Sequence, residues 1–360
     1  MKTIRYGIIG AGTIARSVGR VFTEGSGSVA RAVADVDEAA ARALAATVEA
    51  PRSMTDYREL LADPEIDAVY IATPPFLHRP MIIDAIRAGK HVVCEKPFTL
   101  CRQEVVEVIT AASARPDLKI SCCSGRYQDS EMARRARAVI ESGELGEVYR
   151  LHYEQVTPGY RIGTQFAPWR NDPKLNGGGI SYDWGVYDLD WMCFVLGERF
   201  RPRTLFGTLA NYFALTAERT PPCPDVDGRL AAEMVCDGGL TVHYERRNGE
   251  HGPSRQKMEI RGSRAGLDLV VIPMGEDLVL RRHAYHGADE LKTEVLPDKP
   301  AAWDDLIVFP IRDLTEAILA DREPASPPRM QLTVHGVLDA LLLSAARETS
   351  VPVMTTDGRA

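Results

Sequence analysis

The sequence predicts an α/β fold in two parts, a doubly wound parallel sheet followed by an α+β domain with a large, mostly antiparallel open sheet. Three observations predict it. Over the first third, short runs rich in Val and Ile alternate with helix-length segments, the pattern of a parallel sheet covered on both faces. Near residue 125 that rhythm stops. Beyond it, alternating runs such as "RLAAEMV" and "LTVHYERR" are joined by "CDGG", a hairpin signal.

At 360 residues and 45% hydrophobic, the chain is long enough for two cores. The expected domains are 1–124 and 125–360. In the first, "IRYGIIG" (4–10), "SVARAVAD" (28–35), "IDAVYIAT" (66–73), "KHVVCEKP" (90–97) and "LKISCCSG" (118–125) read as short buried strands. The helical pattern "LHRPMIIDAIRAGK" ends at Gly89, which suits a C-cap. In the second, "DSEMARRARAVIESGELG" reads as a helix leading into a strand, "EVYRLHYEQV". An irregular stretch follows, up to "GGGISYDWGVYDLDWMCFVLG", and further strands are expected within 256–282. "RTPPCPDVDG" and "REPASPP" read as loops, because periodic segments resume on both sides. The last helix, 328–347, carries an apolar stripe and must dock back on the rest of the chain.

Composition narrows the function. The formal charge of −7 comes from interspersed acids and bases, with no basic stripe to neutralise a phosphate backbone, so nucleic acid is not an expected partner. There is no apolar run of about 18 residues to span a membrane. "MKTIRYGIIG" has no signal-peptide core, so a cytoplasmic location is expected. Seven cysteines form no C-x-x-C pair and no zinc-type cluster, so no metal is expected. Cys94, Cys122, Cys123 and Cys193 lie in apolar runs, where a thiol acts as a small hydrophobe.

Gly10-Ala11-Gly12-Thr13-Ile14-Ala15 fits G-x-G-x-x-A between the first strand and its helix. Gly10 allows the tight turn, Gly12 lets the backbone approach a pyrophosphate, and Ala15 keeps helix and strand close. The second strand ends in Asp35, placed to accept hydrogen bonds from an adenosine ribose and to repel a 2′-phosphate, and Val36 follows where a phosphate site would prefer arginine. NAD is therefore favoured as cofactor, with NADP possible. In a competing reading, Asp35 only caps the next helix.

The run "HVVCEKPF" ends a buried strand in an acid, a lysine and a proline. Ligands of open α/β sheets lie over the carboxyl ends of the strands, so Thr73, Pro74, Pro75 and His78 of "TPPFLH" should share the cofactor rim with Glu95 and Lys96. An ammonium there lowers the cost of alkoxide character as a hydride leaves carbon, and polarises the carbonyl in the reverse direction. Glu95 either orients that ammonium or is an exposed companion.

Together, the glycine motif, "TPPFLH", "AGKHVVCEKP" and "GGGISYDWGVYDLDW" resemble the glucose-fructose oxidoreductase, inositol dehydrogenase and rhizopine-catabolism (Gfo/Idh/MocA) family, from residue 1 through the final helix. The resemblance implies a Rossmann domain, a C-terminal sheet that often mediates oligomerisation, and a catalytic lysine at Lys96. A homodimer or homotetramer is the expected assembly.

The triple glycine 177–179 reads as a place where a ligand approaches closely. The helix after it puts Asp183 and Tyr187 on one face. Many family members have histidine at the second position; Tyr187 matches the glucose-fructose oxidoreductase and dihydrodiol dehydrogenase branches, where the resemblance implies tyrosine as the proton-transfer residue. Tyrosine is a weak base at neutral pH unless positive charge acts on it, so Lys96 and Tyr187 are expected to act as a coupled unit, with Asp183 orienting substrate or lysine. In the alternative, Tyr187 packs inside while Asp188 or Asp190 faces the substrate.

Arg126, Tyr127, Tyr160, Arg161, Trp169, Arg170 and Asn171 precede the triple glycine. As a cluster they suit the C–H faces and hydroxyls of a sugar, or an acidic sugar. The expected substrate is a small molecule, a sugar, polyol or glycoside oxidised at a secondary alcohol. A trans-dihydrodiol-type dehydrogenase and a non-catalytic NAD-binding sensor, as in the family's yeast galactose repressor, are the alternatives.

Overall fold

The computed structural model describes residues 3–22, 27–158, 168–211, 226–250, 252–270, 279–286, 290–297 and 302–354. By its contacts the chain falls into two units, Met1–Arg126 with Trp303–Gln331, and Tyr127–Ala302 with Leu332–Ala360. The segment Trp303–Gln331 therefore belongs with the first unit, a return of the chain that a linear division near residue 124 does not include.

In the first unit, strands β1 (Ile4–Ile9), β2 (Ser28–Ala34), β3 (Arg52–Met54), β4 (Ala68–Ile71), β5 (His91–Cys94) and β6 (Ile120–Cys122) form one sheet in the order β3-β2-β1-β4-β5-β6. Every pairing is parallel. Helices α1 (Thr13–Val18), α2 (Glu38–Thr47), α3 (Tyr57–Leu61), α4 (His78–Arg87) and α5 (Arg102–Ser113) supply the crossovers. β4 and β5 are buried almost throughout, which is why they read as continuous apolar runs rather than alternating ones. The strand order reverses at β1, whose neighbours are β2 and β4, and ligands of such sheets sit beyond the carboxyl ends at that point.

The second unit begins with α6 (Glu131–Glu141), capped by the Ser130 side chain, which accepts from the Ala133 amide. Its strands are β7 (Val148–Pro158), β8 (Pro202–Ala210), β9 (Arg229–Cys236), β10 (Thr241–Glu250), β11 (Arg255–Gly262), β12 (Ala265–Leu269), β13 (Val279–His286), β14 (Glu290–Pro297) and β15 (Val351–Pro352). They form a sheet in the order β14-β13-β12-β11-β7-β10-β9-β8-β15. Only the β7–β10 pairing is parallel. The "CDGG" turn joins β9 to β10 as expected, with Gly238 at φ 76 and Gly239 at φ 88. Three short helical segments, α7 (Pro173–Asn176), α8 (Ile180–Asp183) and α9 (Gly185–Leu196), lie between β7 and β8. α8 rests on β9 and β10, and α9 packs against α6.

Two long helices follow the sheet, α10 (Trp303–Ala320) and α11 (Pro328–Arg347). α10 closes the core of the first unit with Ile307, Val308, Ile311 and Leu314, each side chain contributing about 1.5–3 kcal/mol by burial. Its Thr315 hydroxyl meets the Tyr6 hydroxyl at 2.9 Å and the Ser28 hydroxyl at 2.8 Å. Within the second unit α11 docks on β8, where the Gly207 amide donates to Ser344 Oγ at 2.9 Å. No helix among the described residues is long and apolar enough to cross a membrane.

His335 of α11 is fully buried, and neither ring nitrogen has a hydrogen-bond partner among the described residues. Burial pushes its pKa down to about 3. The folded chain thus keeps the ring neutral while the unfolded chain protonates it below about pH 6.5. Stability from this site is fully present above that pH and falls by about 1.4 kcal/mol per pH unit as pH drops towards the folded value. Urea unfolding of His335→Phe should show a correspondingly shallower loss of stability between pH 6.5 and 4 than the parent chain; equal slopes would contradict the assignment.

Candidate active site

The turn after β1 is shaped by contact with β4. Gly10 has φ +100, and a Cβ there would lie 2.7 Å from the Ala72 carbonyl oxygen, so only glycine lets the loop cross the strand end that leads into Thr73. Gly12 differs: it has extended backbone, and a Cβ would meet nothing within 4 Å. Open space therefore lies where α1 starts, beside Thr13, Ile14 and the buried Ala15, whose amides have no partner within the helix. Asp35 accepts from the Ala11 amide at 2.7 Å and from the Asp37 amide at 2.9 Å. Helix α2 is capped by Asp37, which removes the reading of Asp35 as that cap. An open glycine cradle, the first-turn amides of α1 and a carboxylate at the end of β2 fit a dinucleotide's pyrophosphate and ribose.

The lysine turn is held from beneath. Lys96 follows β5, half-buried, and its bond to Pro97 is cis. Glu95 is buried at 5% exposure, not an exposed companion. It accepts from Arg126 Nη2 at 2.9 and 3.2 Å, from the Tyr70 hydroxyl at 3.0 Å and from the Lys96 amide at 3.1 Å. Burial pushes the Glu95 carboxyl up, but the charges of Arg126 and Lys96 and these donors outweigh it, so the net shift is downward and the carboxylate stays ionised. Arg126, expected against substrate, is itself buried and committed to Glu95 and the Cys123 carbonyl.

His78 is likewise not placed as a cofactor contact. The ring is fully buried, with Nδ1 2.7 Å from the Pro97 carbonyl and Nε2 2.9 Å from the Thr73 carbonyl. Burial holds its pKa below the ordinary histidine value despite these acceptors. The side chain ties the loop after β4, with Thr73, Pro74 and buried Pro75, to the turn that carries Lys96.

In the second unit, the expected single helix after the triple glycine is broken at Trp184, where φ is −119. Asp183 ends α8 and Tyr187 lies in α9, so they sit on successive helices rather than one face. Asp183 pairs with Arg170 at 3.1 Å, and the Arg170 guanidinium stacks 5.0 Å from the Trp169 ring. Tyr187 is 4% exposed and meets Tyr127 and Trp184 edge-on, at 5.2 and 5.8 Å between centroids. Tyr127, buried, packs on Tyr187 instead of offering its face to a sugar. Tyr160 and Arg161 lie outside the described residues, as does the side chain of Asn171.

The triple glycine serves packing. A Cβ on Gly177 would lie 2.4 Å from Tyr182, one on Gly178 2.8 Å from the same ring, and one on Gly179 2.0 Å from the Asp227 carbonyl oxygen. Asp188 and Asp190, the alternative substrate-facing acids, are fully buried. Asp190 accepts from Gln128 at 2.6 Å, and Asp188 from Arg246, Tyr244 and Tyr153. No local motif marks these partners in the sequence; they come from strands and turns far along the chain.

The fold and turn of the first unit define a dinucleotide-binding protein. The chain belongs to the oxidoreductase family with an NAD-binding Rossmann fold, which it matches over residues 4–120, and residues 133–268 match the GFO/IDH/MocA C-terminal domain. It is 33% identical over 199 residues to the 1,5-anhydro-D-fructose reductase of Ensifer adhaerens, a match covering 54% of this chain and 57% of that one. Against the inositol 2-dehydrogenase of Rhizobium meliloti (strain 1021) it is 31% identical over 268 residues, 74% of this chain and 75% of the other. A levoglucosan dehydrogenase solved with NADH and L-sorbose superposes with a TM-score of 0.84 over 99% of this chain and 100% of that one; at 20% identity this likeness speaks for the fold alone.

Proposed function

We propose that the chain is an NAD-dependent dehydrogenase, or reductase in the reverse direction, acting on a secondary alcohol or ketone of a sugar, polyol or glycoside. The observation that carries this reading is the buried Glu95–Arg126 pair, which fixes the lysine turn at the carboxyl end of the parallel sheet. A lone surface lysine needs no such foundation. The relatives named for inositol and anhydrofructose support the substrate class.

When bound, NAD supplies the hydride acceptor. Gly10, Gly12, Thr13, Ile14 and Ala15 hold its pyrophosphate, Asp35 its ribose, and Thr73, Pro74 and Pro75 border the same rim. Lys96 holds a positive charge where alkoxide character develops. Tyr187 transfers the proton, Asp183 orients the reacting hydroxyl, and Trp169 with Arg170 borders the substrate. The protein works in the cytoplasm as a homodimer or homotetramer, without nucleic acid.

Purified protein assayed for nicotinamide absorbance change with NAD or NADP, against aldoses, inositols, glycosides and cyclic diols, tests the reading. Turnover with NAD on a polyhydroxylated substrate is expected; tight NADH binding with no turnover on any of them would favour a sensor.

Gly12→Ala tests the cradle. Its backbone tolerates a side chain, so the melting temperature should hold, while the added methyl group enters the pyrophosphate space and weakens NADH binding about tenfold or more. Unchanged NADH affinity by fluorescence titration would place the pyrophosphate elsewhere.

A further inference from the structure

The segment Gly179–Asp183 is built around a residue 48 positions later in the chain. Asp227 Oδ1 accepts from the Gly179 amide at 2.7 Å and from Ser181 Oγ at 2.9 Å, and Oδ2 accepts from the Ser181 amide at 2.9 Å. The Asp227 carbonyl accepts from the intervening Ile180 amide at 2.8 Å. Three consecutive amides at the start of α8, which a helix cannot satisfy internally, are thus satisfied by one residue from outside it. Gly179 follows from the same contact, because a Cβ there would overlap the Asp227 backbone.

From these contacts we infer that Asp227 is a positioning residue for the proposed reaction, setting where Asp183 stands by gripping the first turn of the helix that Asp183 ends. The inference rests on the reading of Asp183 as a substrate-orienting group. One turn separates the gripped amides from Asp183, whose own amide donates to the Gly179 carbonyl at 2.8 Å. A shift of the grip therefore passes directly into the carboxylate's position. Only a carboxylate suits the place, since both oxygens accept and neither atom donates; an asparagine would turn an N–H towards the N–H groups. Asp227 is buried, and burial pushes its pKa up, opposed by the donors of Gly179 and Ser181 that hold the ionised form.

Asp227→Asn, with Ser344→Ala as a control in the same unit, tests this. Ser344 Oγ bonds the Gly207 amide and the Thr349 carbonyl, so its loss lowers stability without touching the segment. Two readouts are compared: hydrogen exchange of the peptide spanning 177–188, and steady-state kinetics. In Asp227→Asn that peptide should exchange about tenfold faster with the rest of the unit unchanged. Its kcat should fall about ten- to a hundredfold with KM for NAD within about twofold. Ser344→Ala should lower the melting temperature and change neither readout. Unchanged exchange in Asp227→Asn, or a loss of activity that only follows the fraction unfolded, would overturn the inference. Should the parent chain lack turnover, the dehydrogenase reading fails on its own, and the exchange result still decides whether Asp227 holds the segment.

Discussion

Lys96→Met is expected to lower kcat by about three orders of magnitude while leaving NADH affinity within about threefold. Methionine keeps an unbranched stem of similar length and removes the charge, so packing at the turn is preserved. The charge acts where the substrate oxygen becomes alkoxide-like, a state reached only as hydride leaves carbon, so its loss should appear in kcat rather than in ground-state binding. Glu95 offers a less clean test of the same turn. Removing its carboxylate leaves the Arg126 guanidinium, 2% exposed, without a counter-charge, and the chain would lose stability together with activity. Steady-state kinetics of Lys96→Met beside an NADH titration separate the two effects. Activity within tenfold of the parent chain would rule out Lys96 as the group that stabilises the developing charge.

The foundation of that turn shows what the sequence could and could not convey. Strands β1, β2, β4, β5 and β6 were legible because each is mostly buried and so reads as a short, largely apolar run between turn signals. β3 was not: its three residues, Arg52–Met54, include none that is buried, and the single apolar Met54 makes no pattern. α10 was hidden by Pro310 inside it, a residue that argues for a break. The site was legible where chemistry is local, as with Gly10, Asp35 and the lysine after β5. It was misleading where a residue type serves two ends. An arginine just after a strand reads the same whether it meets a ligand or, as Arg126 does, a buried carboxylate. Glycines 177–179 read as room for a ligand, while the contact that demands them comes from Tyr182 and from Asp227, 48 residues beyond Gly179. A contact at that separation is set by the tertiary fold, which periodicity does not reveal.

The largest stability effect should come from Asp188, the residue beside Tyr187. Asp188 is 0% exposed and Arg246 2%. The guanidinium grips the carboxylate through Nε and Nη2, both at 2.6 Å, while the Tyr244 and Tyr153 hydroxyls donate at 2.7 and 2.9 Å. The same guanidinium lies 5.3 Å from the Trp184 ring, so a single cluster joins β10 to α9 and to the break between α8 and α9. Asp188→Ala strands a buried cation and should destabilise the second unit by about 3–5 kcal/mol, lowering its melting temperature by about 10 °C. The double variant Asp188→Leu with Arg246→Met should recover much of that loss, because the cost lies in the uncompensated charge rather than in the absence of an ion pair. Calorimetry of the two variants decides between these sources. A double variant as unstable as Asp188→Ala would mean that packing around Trp184 and the tyrosines, not the stranded charge, sets the penalty. Recovery of stability without recovery of kcat would show that the acid also holds α9, and with it Tyr187, in place.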